Sequence, residues 1–214
     1  MENAPRSKPS RRSWVTGALI LVAAPALARA APVVTLLGDS ITAGYGLPAA
    51  AALPARLQRA LAKLGVVAEV RGAGVSGDTS ADGLARVDFS VQRDTTVCIV
   101  ALGGNDLLQG VDPGSTQANL QAIVRRLEAR HITVVLAGLT APRAIGAGYA
   151  KDFDAVFPAV ARNTRVALYP DLLAGVARNP MLNQADGIHP NAAGVDIIAA
   201  GLAATVARNL RGTR

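Results

Sequence analysis

A serine and a histidine at opposite ends of this chain have the surroundings that acyl-transfer chemistry requires. Ser40 stands in Gly38-Asp39-Ser40, directly after the apolar run Val33-Val34-Thr35-Leu36-Leu37 and ahead of a glycine-rich stretch. An apolar run that stops in such punctuation reads as a buried strand, and it would present the hydroxyl at the strand's carboxyl end. A hydroxyl becomes a nucleophile only beside a base. The sequence has two histidines, and His189 lies in Asp186-Gly187-Ile188-His189-Pro190. In one tight turn Asp186 would reach the second ring nitrogen of His189, hold its tautomer and stabilise its charged form. Pro190 favours a loop there over a continuing helix. Without such a turn, Asp-x-x-His would be a helix start carrying a surface histidine. His131 fits that plainer role and is read as structural.

The oxyanion of an acyl transfer needs preorganised donors. The backbone N–H of Ser40, the backbone N–H of Gly77 and the side-chain amide of Asn105 are the candidates. Gly77 lies in Gly72-Ala73-Gly74-Val75-Ser76-Gly77-Asp78 and Asn105 in Gly103-Gly104-Asn105-Asp106. Spacing leaves Asn105 equally able to cap the following helix. No P-loop fingerprint stands at these strand ends.

Elements able to carry these loops are legible from residue 32 onward. Short apolar runs predict strands at 33–37, 66–71, 96–102, 132–138 and 165–169. Leu53, Leu57, Leu61 and Leu64 recur at helical spacing, as do Leu120, Ile123, Val124 and Leu127, and further helices are expected over 149–162 and 193–208. Strands alternating with helices predict an α/β protein: one three-layer α/β/α domain over 31–214, with a parallel sheet covered on both faces. The three glycine-rich loops would then share one sheet edge, where such sheets bind ligands. Cys98, alone in an apolar run, is expected as a buried core thiol.

Residues 1–30 have the parts of a cleavable signal peptide: a basic start through Arg12, an apolar run from Trp14 to Leu27, and Ala28-Arg29-Ala30 as a cleavage site. The apolar run contains Pro25 and falls short of the roughly 20 residues that span a bilayer, so no stable membrane anchor is expected. Arg11-Arg12 leaves the twin-arginine route open. The mature protein is expected to be periplasmic or secreted. Of the formal charge of +7, this leader holds Arg6, Lys8, Arg11, Arg12 and Arg29 against Glu2, a local +4. The basicity is thus largely the leader's, and with aromatics at 3% no nucleic-acid partner is expected.

Four blocks carry a family resemblance: Gly38 to Gly46, Val75-Ser76-Gly77-Asp78-Thr79-Ser80, Leu102-Gly103-Gly104-Asn105-Asp106, and Asp186-Gly187-Ile188-His189-Pro190-Asn191. In this order they resemble the SGNH (GDSL-like) hydrolases, in the branch of periplasmic thioesterase I, lysophospholipase L1 and arylesterase. The resemblance covers about residues 33 to 208. It implies a flavodoxin-like sandwich, Ser40 as nucleophile, Asp186 and His189 as the rest of the triad, and Ser40, Gly77 and Asn105 around the oxyanion. It implies no metal and no cofactor. Small-molecule acyl esters or thioesters are the implied substrates, among them aryl esters, acyl-CoA and lysophospholipids. Ile41 stands where leucine is common and Asp82-Gly83 replaces a frequent Gly-Gly; neither has a catalytic role. Residues 141–149 align with the family's substrate loop, and their small side chains suggest a flexible lid that sets acyl-chain preference. A carbohydrate O-acetylesterase of the same superfamily and a non-catalytic exported binding module are the alternatives.

Overall fold

The computed structural model describes residue 1 and residues 30–212. The expected signal peptide lies almost wholly outside the described residues. Of the described residues, 31–212 belong to one compact unit.

Five parallel strands make its sheet: β1 (Val33–Gly38), β2 (Glu69–Gly74), β3 (Thr95–Ala101), β4 (Thr133–Ala137) and β5 (Ala167–Tyr169), in the order β2-β1-β3-β4-β5. This is the flavodoxin-like order expected from the resemblance. Every residue of β1 is buried, and Val97, Cys98, Ile99 and Val100 of β3 are fully enclosed. Covering on both faces is why these two strands read as unbroken apolar runs. Each fully buried leucine or valine contributes roughly 1.5–3 kcal/mol. Burial also pushes the Cys98 thiol up to about 12, so it is an inert core group as expected.

Helix α2 (Leu53–Lys63) packs with α7 (Ala192–Gly212) on one face of the sheet. Helices α3 (Ser80–Ser90), α5 (Pro113–Glu128) and α6 (Ala147–Thr164) cover the other. Two short helices, α1 (Ser40–Ala43) and α4 (Gly104–Gln109), follow β1 and β3 directly. Leu53, Leu57 and Leu61 form the buried stripe of α2, while Leu64 lies past its end and is half exposed. The stripe of α5 is buried as its spacing predicts. Helix α7 is long and apolar enough to cross a bilayer, but Ile198, Leu202 and Val206 are buried in the core.

β2 and α3 depart most from the sequence reading. Strand β2 begins three residues later than the apolar run 66–71, because Val67 is exposed and the paired segment includes Gly72, Ala73 and Gly74. β2 is an edge strand with partial exposure, so the hydrophobic pattern does not fix its register. Helix α3 was not anticipated, since its buried positions are only Ser80, Gly83 and Val87. Its signal was the capping box: Thr79 Oγ1 accepts from Asp82 N, and the Asp82 carboxylate accepts from Thr79 N at 3.0 Å.

The chain leaves β1 toward one face and β3 toward the other, which opens a cleft between their carboxyl ends. Gly74 lets β2 close against that cleft's base. A Cβ there would lie 2.4 Å from Ala43 N and 2.7 Å from Asp39 O, backbone atoms that cannot swing aside. Gly74→Ala is therefore expected to cost about 1–3 kcal/mol through overpacking. It should also lower turnover, because the displaced segment carries Ser40. Urea denaturation and ester hydrolysis measured on the same preparation check both effects.

Candidate active site

Ser40 is the first residue of α1, and Asp39 caps that helix by accepting the Ile41 N–H at 3.0 Å. The strand, the cap and the short helix together fix the hydroxyl at the mouth of the cleft. On the other side, Asp186 builds a tight turn: its Oδ1 accepts the N–H groups of Ile188 at 2.9 Å and His189 at 3.0 Å. Its Oδ2 lies 2.7 Å from His189 Nδ1. With Nδ1–H donating to Asp186, Nε2 is free to accept from Ser40 Oγ at 3.0 Å. The turn expected from Asp-x-x-His forms, and it joins residues 149 positions apart in sequence.

The histidine segment is anchored from both sides. Gln184 Nε2 donates to Tyr45 O at 2.8 Å and to Pro190 O at 3.1 Å, so it ties the loop after Ser40 to the histidine turn. Asn191 Oδ1 accepts from Ala193 N and Gly194 N, and its amide donates to Met181 O. Helix α7 thus starts at Ala192, directly after Asn191. The Tyr45 ring packs on the imidazole with centroids 4.6 Å apart. His131 lies instead at the amino end of β4, exposed and with φ of 59°, away from the cleft edge.

Gly77 and Asn105 line the same hollow as Ser40 and His189. The φ of Gly77 is +91°, a backbone state that a side chain would strain. Asn105 does not cap α4: Gly103 occupies that position without a side-chain bond, and Asn105 Nδ2 donates to Asp78 O at 2.8 Å. An amide nitrogen carries two hydrogens. One is committed to Asp78, which orients the amide and leaves the other to donate.

The hollow has a volume of about 440 Å³. Its walls beyond the polar groups are apolar, with Ile41, Leu107, Leu108, Leu139, Leu173 and Ile188. A second hollow of about 370 Å³ shares Leu107, Leu139, Thr140, Leu173 and Ile188 with the first and continues past Pro142. The 141–149 segment holds a 3₁₀ turn at Arg143–Ile145 and the start of α6. It is tied down by Ala141 N donating to Asp154 at 2.8 Å and by the Tyr149 hydroxyl donating to Val111 O at 2.7 Å. The apolar walls were not legible in the sequence, because Leu107, Leu139 and Leu173 meet only through the order of the strands.

Two carboxylates at the site are pushed in opposite directions. The His189 backbone N–H, then its ring, then the Ile188 N–H hold Asp186 down at about 2. Asp186 therefore stays ionised across the neutral range. Asp39, 4% exposed, is pushed up to about 6 by desolvation, partly offset by the Ile41 N–H. The sequence gives Asp39 no role of its own; a polar residue directly before the strand-end Ser40 is the only hint.

A carboxyl group whose folded pKa lies above its unfolded value of 3.8 binds its proton more tightly in the folded state. Its burial costs nothing below that value, and stability falls as pH rises from about 4 to about 6. Asp39→Asn keeps the acceptor for Ile41 N–H and removes the charge. It is expected to raise stability at pH 7.5 by on the order of 2–3 kcal/mol and to change little at pH 4. Urea denaturation at the two pH values checks this, and equal gains at both would contradict it.

Residues 36–197 match the model of the GDSL-like lipase/acylhydrolase family. The chain is 38% identical to esterase TesA of Pseudomonas aeruginosa, over 84% of this chain and 90% of that protein. It is 37% identical to thioesterase 1/protease 1/lysophospholipase L1 of Escherichia coli, over 83% of this chain and 85% of that one. Among solved structures, the SGNH-hydrolase family esterase AlinE4 superposes with a TM-score of 0.71 at 40% identity, covering 85% of this chain and 98% of its own. The chain belongs to the GDSL-like lipase/acylhydrolase family.

Proposed function

We propose that this protein is an exported serine esterase and thioesterase in which Ser40, His189 and Asp186 form the triad. The observation that carries the reading is the unbroken hydrogen-bond line from Asp186 Oδ2 through the imidazole to Ser40 Oγ, with contacts of 2.7 and 3.0 Å. The names of the relatives, esterase and thioesterase 1/lysophospholipase L1, support the same class.

Ser40 Oγ attacks the acyl carbonyl carbon while its proton passes to His189 Nε2. The oxyanion that forms is met by Ser40 N–H, Gly77 N–H and the free amide hydrogen of Asn105. His189 then protonates the departing alkoxide or thiolate, leaving an acyl-enzyme on Ser40. Water, deprotonated by the same imidazole, releases the acid and restores the serine. Asp186 remains a carboxylate throughout and stabilises the imidazolium. The apolar walls suit acyl or aryl groups, and the second hollow gives a longer chain room to continue. The 141–149 segment borders that route and is proposed to set chain-length preference.

Ser40→Ala is expected to lower hydrolysis of a short-chain p-nitrophenyl ester by roughly 10⁴-fold or more. Substrate arms of acyl-CoA, lysophospholipid and acetylated xylan separate the thioesterase, lysophospholipase and O-acetylesterase activities. Intact mass of the exported protein reads two further points. Cleavage after Ala30 gives a chain starting at Ala31, and a serine-directed phosphonate adds one adduct that Ser40→Ala abolishes. A protein that takes no adduct is a binding module.

Activity should depend on pH, because a protonated imidazole at His189 cannot accept the proton from Ser40. Asp186, held near 2, stays ionised through the mildly acidic range, whereas Asp39 beside Ser40, pushed up to about 6, titrates within it. A flat kcat/KM profile from roughly pH 5 to 8 would remove His189 from the mechanism.

A further inference from the structure

Arg86, on α3, belongs to none of the four motifs and does not line the hollow, yet its guanidinium joins the three segments around it. Nη2 donates to Gly38 O at 2.8 Å, the last carbonyl of β1 and two residues before Ser40. Nη1 donates to Ala73 O at 2.9 Å, near the end of β2, and to Ser90 Oγ at 3.1 Å. Nε donates to Asp78 Oδ2 at 2.5 Å. The two charged side chains are only 18% and 11% exposed. Asp78 directly follows Gly77, and its carbonyl accepts the Asn105 amide at 2.8 Å.

We infer that Arg86 is a positioning residue for the oxyanion-binding amides: it fixes the Gly77–Asp78 backbone against the end of β1 and, through the Asp78 carbonyl, orients Asn105. The inference rests on the oxyanion assignment made under the proposed function. The geometry asks for arginine specifically. The acceptors lie in different directions around one plane, and a guanidinium spreads five N–H donors over that fork. Lysine offers three donors from a single atom and cannot reach all of them. Both charges are mostly shielded from water, so neither the attraction nor the register is diluted by solvent. The Gly77 loop has few other ties of its own. Asp78 N donates to Val75 O and Val75 N to Gly38 O, and both bonds close within the same corner. Without the guanidinium, no other described side chain links Asp78 to β1.

A residue that places donors for the transition state affects kcat more than KM, since the ground-state carbonyl depends less on them. The test uses Arg86→Lys and Asp78→Asn, with Ser90→Ala as a control that removes only the contact within α3. Each is assayed for kcat and KM on a p-nitrophenyl ester, for inhibition by an alkyl trifluoromethyl ketone, for the pH profile and for melting temperature. Arg86→Lys is expected to lose roughly 10–100-fold in kcat with KM nearly unchanged, as for a donor displaced by about an ångström. The ketone forms a tetrahedral adduct bearing the oxyanion, so its affinity should fall by a similar factor. For Arg86→Lys, which keeps the charge and leaves the His189–Asp186 pair untouched, the acid limb should stay in place, and Ser90→Ala should behave as wild type.

Asp78→Asn, which keeps the side-chain shape and removes the charge, should give the same kcat-selective loss and carries the test if Arg86→Lys does not fold. A folded Arg86→Lys or Asp78→Asn enzyme with wild-type kcat overturns the inference. So does a loss that leaves ketone affinity intact, or, in Arg86→Lys, one that moves the acid limb. A wild-type protein inert toward every ester overturns the proposed function, and the inference falls with it.

Discussion

The hydrogen bond between His189 Nε2 and Ser40 Oγ joins two points 149 residues apart, and most of the molecule's order serves to keep it at 3.0 Å. Such a bond weakens sharply if the donor and acceptor drift by a few tenths of an ångström. Neither partner can therefore hang on a free loop. Ser40 is fixed by the buried end of β1, the Asp39 cap and the first turn of α1. His189 is fixed by the Asp186 turn, by Gln184 reaching across to Tyr45 O, and by Asn191 starting α7. The sheet supplies the rigidity: β1 lies between β2 and β3, and its core residues have no room to shift.

Around that bond the protein uses polar burial where a simple core would use hydrocarbon. Asp106, fully buried in α4, accepts from Ser80 N at 2.7 Å and Thr116 Oγ1 at 3.0 Å, and so locks α3 and α5 to the loop that carries Asn105. Asp78 and Arg86 do the same on the Gly77 side. These groups are directional, which sets the loops at fixed angles as greasy contacts could not. Asp39 is the exception, since its burial beside Ser40 raises its pKa and works against stability at neutral pH. Carboxylates with perturbed pKa values cluster at functional sites.

The sheet was largely legible because a parallel strand buried on both faces has only one kind of residue to use. Val34, Leu36 and Leu37, or Val97 to Val100, announce themselves. The misplaced start of β2 and the missed α3 share a cause: both are partly exposed, so their apolar pattern is thin and other signals decide. In α3 that signal was the capping box at Thr79 and Asp82, which carries no hydrophobic period. Asn105 shows a finer limit, since spacing allowed either a helix cap or a cleft amide. Only the 2.8 Å bond to Asp78 O decides that it turns into the cleft.

The sequence by itself determined the candidate chemistry: a strand-end serine, a histidine with an aspartate three residues before it, and glycine-rich loops at two more strand ends. These are local patterns, set by residue type and by turns a few residues long, so they survive being read in one dimension. What joins them is not local. That β1 and β3 are neighbours, that Leu107, Leu139 and Leu173 share a wall, and that Arg86 reaches the ends of β1 and β2 all depend on strand order and helix crossover. Those contacts form between segments far apart in the chain, and only the packed sheet brings them within hydrogen-bond reach.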